Sequence, residues 1–523
     1  MRTAPRIALS ALLLAALPLF PAGCAPKLPI DEGTLVIALP GSPGSIDPRL
    51  ATEAYGEQLL QMTHSFLIKR DPAGNPAPDL AESWVERSPT EFVFRLRKGA
   101  RFHDGREVTS ADVRYTFEWI LDPRNRSPHR ATYDAISRIE TPDPHTVVFR
   151  LKYPFAPFLV GMARGSVPAG SRAGGYAPVP GAGPFRSDDF QPDAGASLSR
   201  FDGYYGRPPA IGKVIVKFIP DSNIRFLELK KGSVNFVLNG VDPDLLPSVL
   251  ANPNLAIDEA PGGNVSYLGF NLRDRILSDA RVRRAIALAI DREAIVRTIW
   301  KGRADPADSI LPPGFWAHAD GLPPLRRDLA EAKRLLDRAG FPDPDGDGPK
   351  PRFTLTYKTS QNELRRRIAA VLQEQLRQAG IAVEVHSYEW GTFFSDIRKG
   401  NFQLYSLTWV GIADPDIFHY AFHSSQAPPD GANRGGYSNP ELDRLVEAGR
   451  RETSRSARKE IYRKVQLLLS RDLPVLPLWA GRNVLVRDRR LGGFRLTSDE
   501  DYTSVREMRI EGEPGGAGGK AVR

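Results

Sequence analysis

Cysteine is nearly absent. Cys24 is the only one among 523 residues, so no disulfide can form within the chain, and a thiol nucleophile is excluded once Cys24 is used otherwise. No apolar run reaches the roughly 20 residues that an ordinary membrane helix needs, and the longest, Ile7 to Phe20, stops short. A GxxxxGKS/T phosphate loop, a GxSxG nucleophile elbow and an HExxH zinc motif are all missing. No internal repeat and no recognisable paired-carboxylate motif is found. These gaps argue against P-loop nucleotide chemistry, serine or cysteine catalysis and zinc hydrolysis. The sequence offers no catalytic residue, metal or cofactor to assign.

What is present has the make-up of a folded protein, 41% hydrophobic and 25% charged, at a length that implies more than one structural unit. Forty-six prolines and forty-six glycines imply many turns. A net charge of +9 would suit nucleic acid or an anionic surface. The basic residues are spread out, however. The tightest runs, Arg281/Arg283/Arg284 and Arg365 to Arg367, fall inside helical patterns, as solvated helix faces do. Nucleic acid is therefore not expected as a partner.

The N-terminus has the order of a secretory signal: Arg2 and Arg6, the apolar run, then Pro21-Ala22-Gly23 before Cys24. A lone cysteine directly after small residues resembles a lipobox, in which the thiol takes a diacylglycerol and becomes the mature N-terminus. Pro21 departs from the leucine usual three residues before the cysteine. The expectation is a signal over 1–23, a lipid-anchored tether over 24–32, and a protein held in the periplasm or at the cell surface. Ala25 leaves open which membrane holds it.

Further along, Thr34–Leu39 reads as a buried strand, and Asp79–Trp84 as one helical turn before a hairpin. Phe92, Phe94 and Leu96 alternate with Val93, Arg95 and Arg97, the period of a strand. Thr109 with Asp112 is close to a capping box ahead of a helix striped by Val113, Phe117, Ile120 and Leu121. Residues 145–151 read as a strand, and the Gly/Pro-rich stretch 165–184 as a long loop. A second block begins near Val265 with a strand. Helices follow over Asp279–Ile290, Arg292–Trp300 (capped by Asp291) and Glu331–Ala339. Then come a strand at Phe353, Leu355 and Tyr357, a helix from Leu364 to the stop at Gly380, and a strand at Ile381, Val383 and Val385. Helices at Asp416–Phe422, Pro440–Gly449 and Ala457–Leu469 and strands at Val475–Trp479 and Asn483–Val486 close the block. This alternation implies α/β lobes. Two metal-like patterns are incomplete. His419 and His423 share a helix face without a third ligand, and Asp343, Asp345 and Asp347 lack the glutamate that ends a calcium loop.

Five stretches in order resemble the family 5 bacterial extracellular solute-binding proteins, which serve ABC importers of oligopeptides, dipeptides and nickel. They are FVFRLRKGARFHDGREVTSADVRYTF over 92–117, GAGPF over 181–185, Asn271 followed by DARVRRAIALAIDREAIV over 279–296, YEWG over 388–391 with Trp409 and Asp414-Pro415-Asp416, and YSNPELDRL over 437–445. The likeness runs from about Thr34 to about Arg509. It implies an α/β, two-lobed periplasmic-binding-protein-like fold with an extra subdomain in the first lobe. Carried over, lobe I combines 33–62, 200–265 and 483–511, the extra subdomain covers 63–199, lobe II covers 266–482, and 512–523 is a flexible tail.

The function implied is capture of a peptide or peptide-sized solute in the interlobe cleft and delivery to the permease and ATPase subunits of an importer. The chain is expected to act as a monomer and without catalysis. A secreted hydrolase, or a binder of a sugar, opine or nickel chelate, are the alternatives. Ligand-binding candidates are Trp390 at the YEW position, Trp409, the Gly411 backbone, Asp414, Tyr357 and Tyr55. Asn271, Arg284 and Asp291 read as structural. Dipeptide and oligopeptide binders of the family place an Asp soon after the Trp-x-Gly step, paired with the ligand's ammonium; here that position is Ile412. Either Asp414 takes over the anchor, or the ligand has no free ammonium there. The second reading is preferred, because Asp-Pro-Asp begins a helix and serves as its cap.

Overall fold

The computed structural model describes residues 33–71, 74–174, 177–346, 348–429 and 431–511. The signal, Cys24, the tether, Asp347 and the tail lie outside the described residues.

Thr34–Leu39 is six residues with every side chain buried, so it needs cover on both faces. It lies inside a large mixed sheet, parallel to Lys213–Phe218 on one side and to Phe236–Leu238 on the other. The sheet continues through Val475–Asp488, Leu255–Phe270, Leu404–Trp409, Phe353–Ser360 and Ile381–Tyr388 at one end, and through Gly195–Arg200 and Phe185–Gln191 at the other. Gly195–Arg200 and Phe185–Gln191 thus pair into the first-lobe sheet, and a boundary at 199 falls inside the former.

Two strands cross between the lobes. Leu255–Phe270 has 16 residues and Val475–Asp488 has 14. They pair antiparallel along their length, with a register shift between Pro261 and Val265. The sequence patterns at Val475–Trp479 and Asn483–Val486 are therefore two halves of one strand, one in each lobe. At the shift, a Cβ on Gly262 would lie 2.1 Å from the Gly481 carbonyl oxygen, so this close approach of the crossing strands requires glycine.

Each lobe has its own core. Helices 280–289, 329–338 and 363–377 cover the second-lobe sheet through Ile286, Leu336, Leu372 and neighbours. Leu35, Ile37, Val214 and Phe236 lead the first-lobe core. The extra subdomain packs a four-stranded sheet on helix Ser110–Leu121, whose capping box forms as expected. Asp79–Trp84 is not helical. Ala81–Ser88 is an edge strand, with Trp84 opposite Phe94, and Asp79 instead accepts hydrogen bonds from the Phe66 N–H and the Tyr205 hydroxyl. Arg283 departs from the solvated-face reading. It is buried and donates to the carbonyls of Leu277, Ser278, Asp472 and Leu473. Among the described residues no helix is long and apolar enough to cross a membrane.

Candidate functional site

The parallel strands of lobe II end at Ser360, Tyr388 and Trp409, and those of lobe I at Leu39, Phe218 and Leu238. Open α/β sheets bind ligands beyond such carboxyl ends. Loops from both sets meet at the crossing point. Asn264, in the register shift, accepts the Gly411 N–H at 3.3 Å, and Asn239 donates to Asn483 at 2.9 Å. On one flank of this cleft Arg367 reaches Asp244 at 2.8 Å and Asp242 at 3.6 Å, with Lys301 on Asp244 at 3.0 Å. On the other flank the Arg450 carbonyl accepts the Ala156 N–H at 2.8 Å, and the Arg450 guanidinium lies 5.0 Å over Phe155. Both flanks are therefore contacts between lobe II and the first body, that is, lobe I with its extra subdomain.

The sequence candidates fall into different settings. Trp409 is the last residue of its strand. It stacks on Tyr267 with centroids 5.7 Å apart, and the Arg434 guanidinium lies 5.4 Å over its ring. Tyr267, Tyr405, Trp409 and Arg434 line a small pocket. A larger cavity of about 190 Å³ lies elsewhere, between the first sheet and the subdomain, against His64 and His103. Trp390 is 55% exposed and stacks on Phe394. It begins a helix, with Glu389 as the cap. Gly411 has φ +65°, open to glycine at no cost. Tyr55 is half-buried in the first turn of helix 54–63, and burial raises its pKa. Tyr357 is 1% exposed, and its hydroxyl is bonded to Ser406 at 2.7 Å inside the lobe II core.

Asp414 is committed to Arg458 by two contacts, 2.6 and 3.0 Å, with both side chains nearly buried. It also accepts the Asp416 N–H at 2.9 Å, the cap of the next turn. Ile412 packs on the apolar cluster beneath. Asn271 and Asp291 are structural. The Asn271 amide donates to the Gly400 and Phe402 carbonyls, and Asp291 caps its helix at Ala294. His423 is held by Ser425 and Glu447 and His419 by Arg450, and no cluster of three or more metal-ligating side chains occurs among the described residues.

Three charged residues near the candidate site escape sequence reasoning. Arg365, read from sequence as part of a solvated face, is half-buried and donates to the Thr408 hydroxyl at 2.9 Å. Burial lowers its pKa, and it has no carboxylate partner among the described residues. Arg434 is held by aromatic rings and the Tyr267 hydroxyl, 3.0 Å away, again without a carboxylate among the described residues. Glu500 lies beside Asn264 and Asn239. No motif marks any of the three; the one signal available was Arg365 in the first helical turn, where the helix dipole disfavours a cation.

The model of the bacterial extracellular solute-binding proteins, family 5 middle region, matches residues 75–429. A dipeptide-binding protein of Escherichia coli (strain K12) is 26% identical over 481 residues, covering 86% of this chain and 89% of its own. The oligopeptide-binding protein AppA of Bacillus subtilis, solved with a nonapeptide, superposes with a TM-score of 0.84 at 26% identity, over 92% of this chain and 99% of its own. NikZ of Campylobacter jejuni, solved with Ni(L-His), gives 0.83 at 25% identity, over 92% and 100%. With a match over most of its length and the two-lobed α/β fold of these structures, the chain belongs to the bacterial extracellular solute-binding proteins, family 5.

Proposed function

We propose that this solute-binding protein captures a peptide or peptide-sized solute between its lobes and hands it to an ABC permease. The observation that carries the reading is the meeting of both sets of strand ends at the crossing point. There, aromatic and polar side chains face one another, and the lobes touch again on both flanks. A cleft that closes in this way excludes water and strengthens the polar contacts inside it. Trp409, fixed by Tyr267 and Arg434, offers a flat wall at low entropic cost, and Trp390, stacked on Phe394, leaves more than half of its surface open to a ligand. Tyr55 and the Gly411 backbone belong to the same proposed site. Tyr357 supports the wall from behind, through Ser406. The peptide class is supported by the E. coli relative and by AppA, and NikZ keeps a metal chelate as the second reading.

Thermal melting with a peptide library tests the reading. A ligand specific to the folded state raises the melting temperature by mass action and is recovered intact. Cleaved peptide, appearing at a rate proportional to protein, would favour a hydrolase. We also propose a lipid tether at Cys24. Labelling with a fatty-acid analogue and membrane fractionation should both be lost in Cys24→Ser; retention of both contradicts the tether.

A further inference from the structure

The turn 497–500 runs along the crossing point of the two long strands. The Ser498 carbonyl accepts the Gly263 N–H at 2.6 Å, and the Asn483 amide donates to the Thr497 and Ser498 carbonyls at 2.7 and 3.2 Å. The turn ends at Glu500 with φ +58°, a left-handed conformation that a non-glycine residue adopts only when its surroundings impose it. The Glu500 carboxylate is held by amides: Asn264 donates to it, and so does Asn239, itself at φ +52°. Among the described residues it makes no ion pair. The neighbouring charge that acts on it is another acid, Asp499, which is paired with Arg70 at 3.0 Å. Burial holds its carboxyl above the usual range, against the pull of the two amides. A part-buried carboxylate without a base is costly, and its retention in a strained backbone points to service to a ligand.

Its position fits that use. Asn264 ties Glu500 to the Gly411 N–H, two residues after Trp409, so the carboxylate lies where the two lobes join. The nearby acid of lobe II, Asp414, is neutralised by Arg458, and Ile412 carries no charge. Two residues beyond Asn264 on the same strand, the Ser266 hydroxyl is bonded to Thr408 at 2.9 Å, and Thr408 accepts from Arg365 at 2.9 Å. An acid without a base and a base without an acid are therefore linked to neighbouring positions of one crossing strand by uncharged side chains. They are not paired with each other.

We propose that Glu500 anchors a protonated amine of the solute and that Arg365 receives a carboxylate of the same solute, so that the cleft selects a zwitterion of amino-acid or short-peptide type. This rests on the cleft being the solute site, and it specifies the chemistry that the site recognises. Solute entry supplies each part-buried charge with its missing partner, and lobe closure then shields both pairs from water. Charge-assisted hydrogen bonds of this kind are stronger than neutral ones, and a guanidinium can grip a carboxylate with two donors.

The test uses the full chain, stripped of solute by unfolding and refolding. It is offered a tri- and tetrapeptide library in free, N-acetylated and C-amidated forms, together with spermidine, lysine and their N-acetylated forms. Retained compounds are measured by mass spectrometry, and the best-retained peptide by calorimetry. The wild-type protein should prefer free over N-acetylated peptides by roughly 30-fold or more, the scale of leaving a buried charge unpaired. Glu500→Gln should erase that preference while keeping the melting temperature, and Arg365→Gln should erase the preference for free over C-amidated peptides. Equal retention of free and acetylated peptides by the wild type overturns the proposal and leaves peptide binding standing, as does a preference that survives Glu500→Gln. Retention of the non-peptide amines alone, lost in Glu500→Gln, upholds the amine anchor and sinks the peptide reading. Retention of no compound by the wild-type protein overturns both.

Discussion

Asp414 and Glu500 are both acids near the rim where the lobes meet, and their treatment differs. Asp414 has a guanidinium against both carboxylate oxygens and caps a turn. Glu500 has amides in place of a base and stands in a strained turn. The same contrast divides the arginines. Arg458 is matched by Asp414 and Arg367 by Asp242 and Asp244, whereas Arg365 and Arg434 meet hydroxyls and rings. Charges that are matched within the chain hold the fold. On the proposal above, charges left unmatched at the cleft are the ones available to a solute.

Mutation sharpens this division most at the matched pair. Asp414→Asn leaves Arg458 buried without its counter-charge and should cost about 3–5 kcal/mol in chemical denaturation. Glu500→Gln, which removes a charge that has no partner to lose, should leave stability unchanged or raise it. If Glu500→Gln destabilises as much as Asp414→Asn, the distinction fails.

The two tryptophans divide in the same way. Trp409→Ala removes a ring packed on Tyr267 and Arg434 and should cost about 3 kcal/mol of stability. Trp390, more than half exposed, should change stability by less than about 1 kcal/mol on truncation, while solute affinity falls by more than about 1 kcal/mol. Unchanged affinity in Trp390→Ala, measured by calorimetry, would remove it from the site.

Acid distinguishes the two bodies of the molecule. In the first body burial lowers the pKa of His64 and His129 to about 3 and of His103 to about 4; in lobe II it lowers that of His419 to about 3. An unfolded histidine titrates near 6.5, so below that pH the unfolded chain binds protons that the folded chain refuses. The stability these groups contribute is complete above about pH 6.5 and is lost progressively as pH falls toward 3 to 4. At pH 5 each of the buried His64 and His129 should account for about 2 kcal/mol of loss. Hydrogen exchange at pH 5 against pH 7.5 should show the first body opening more than lobe II. Equal opening would mean that other groups govern the acid response.

Much of the fold was legible because its signals are local. The buried run Thr34–Leu39, the Thr109–Asp112 cap and the Asp291 cap are each decided within a few residues. Asp79–Trp84 misled for the opposite reason. Its polar residues suit a helical turn, but pairing with Phe94 across the hairpin makes it an edge strand, a tertiary contact overriding local preference. The cleft was legible only through its aromatics and its resemblance to a family. Arg365 reads as one more basic residue in a helix until Thr408 is placed beside it. Glu500 acquires its meaning from Asn264, 236 residues away.

The most direct test of the account is native mass spectrometry of the full chain purified with whatever solute it carries, followed by release of that solute on denaturation. The account predicts one solute per chain, chemically intact, bearing both an amine and a carboxylate, and absent from Glu500→Gln prepared in parallel. A solute without an amine that is retained equally by both proteins, or cleaved products that accumulate with protein concentration, would contradict it.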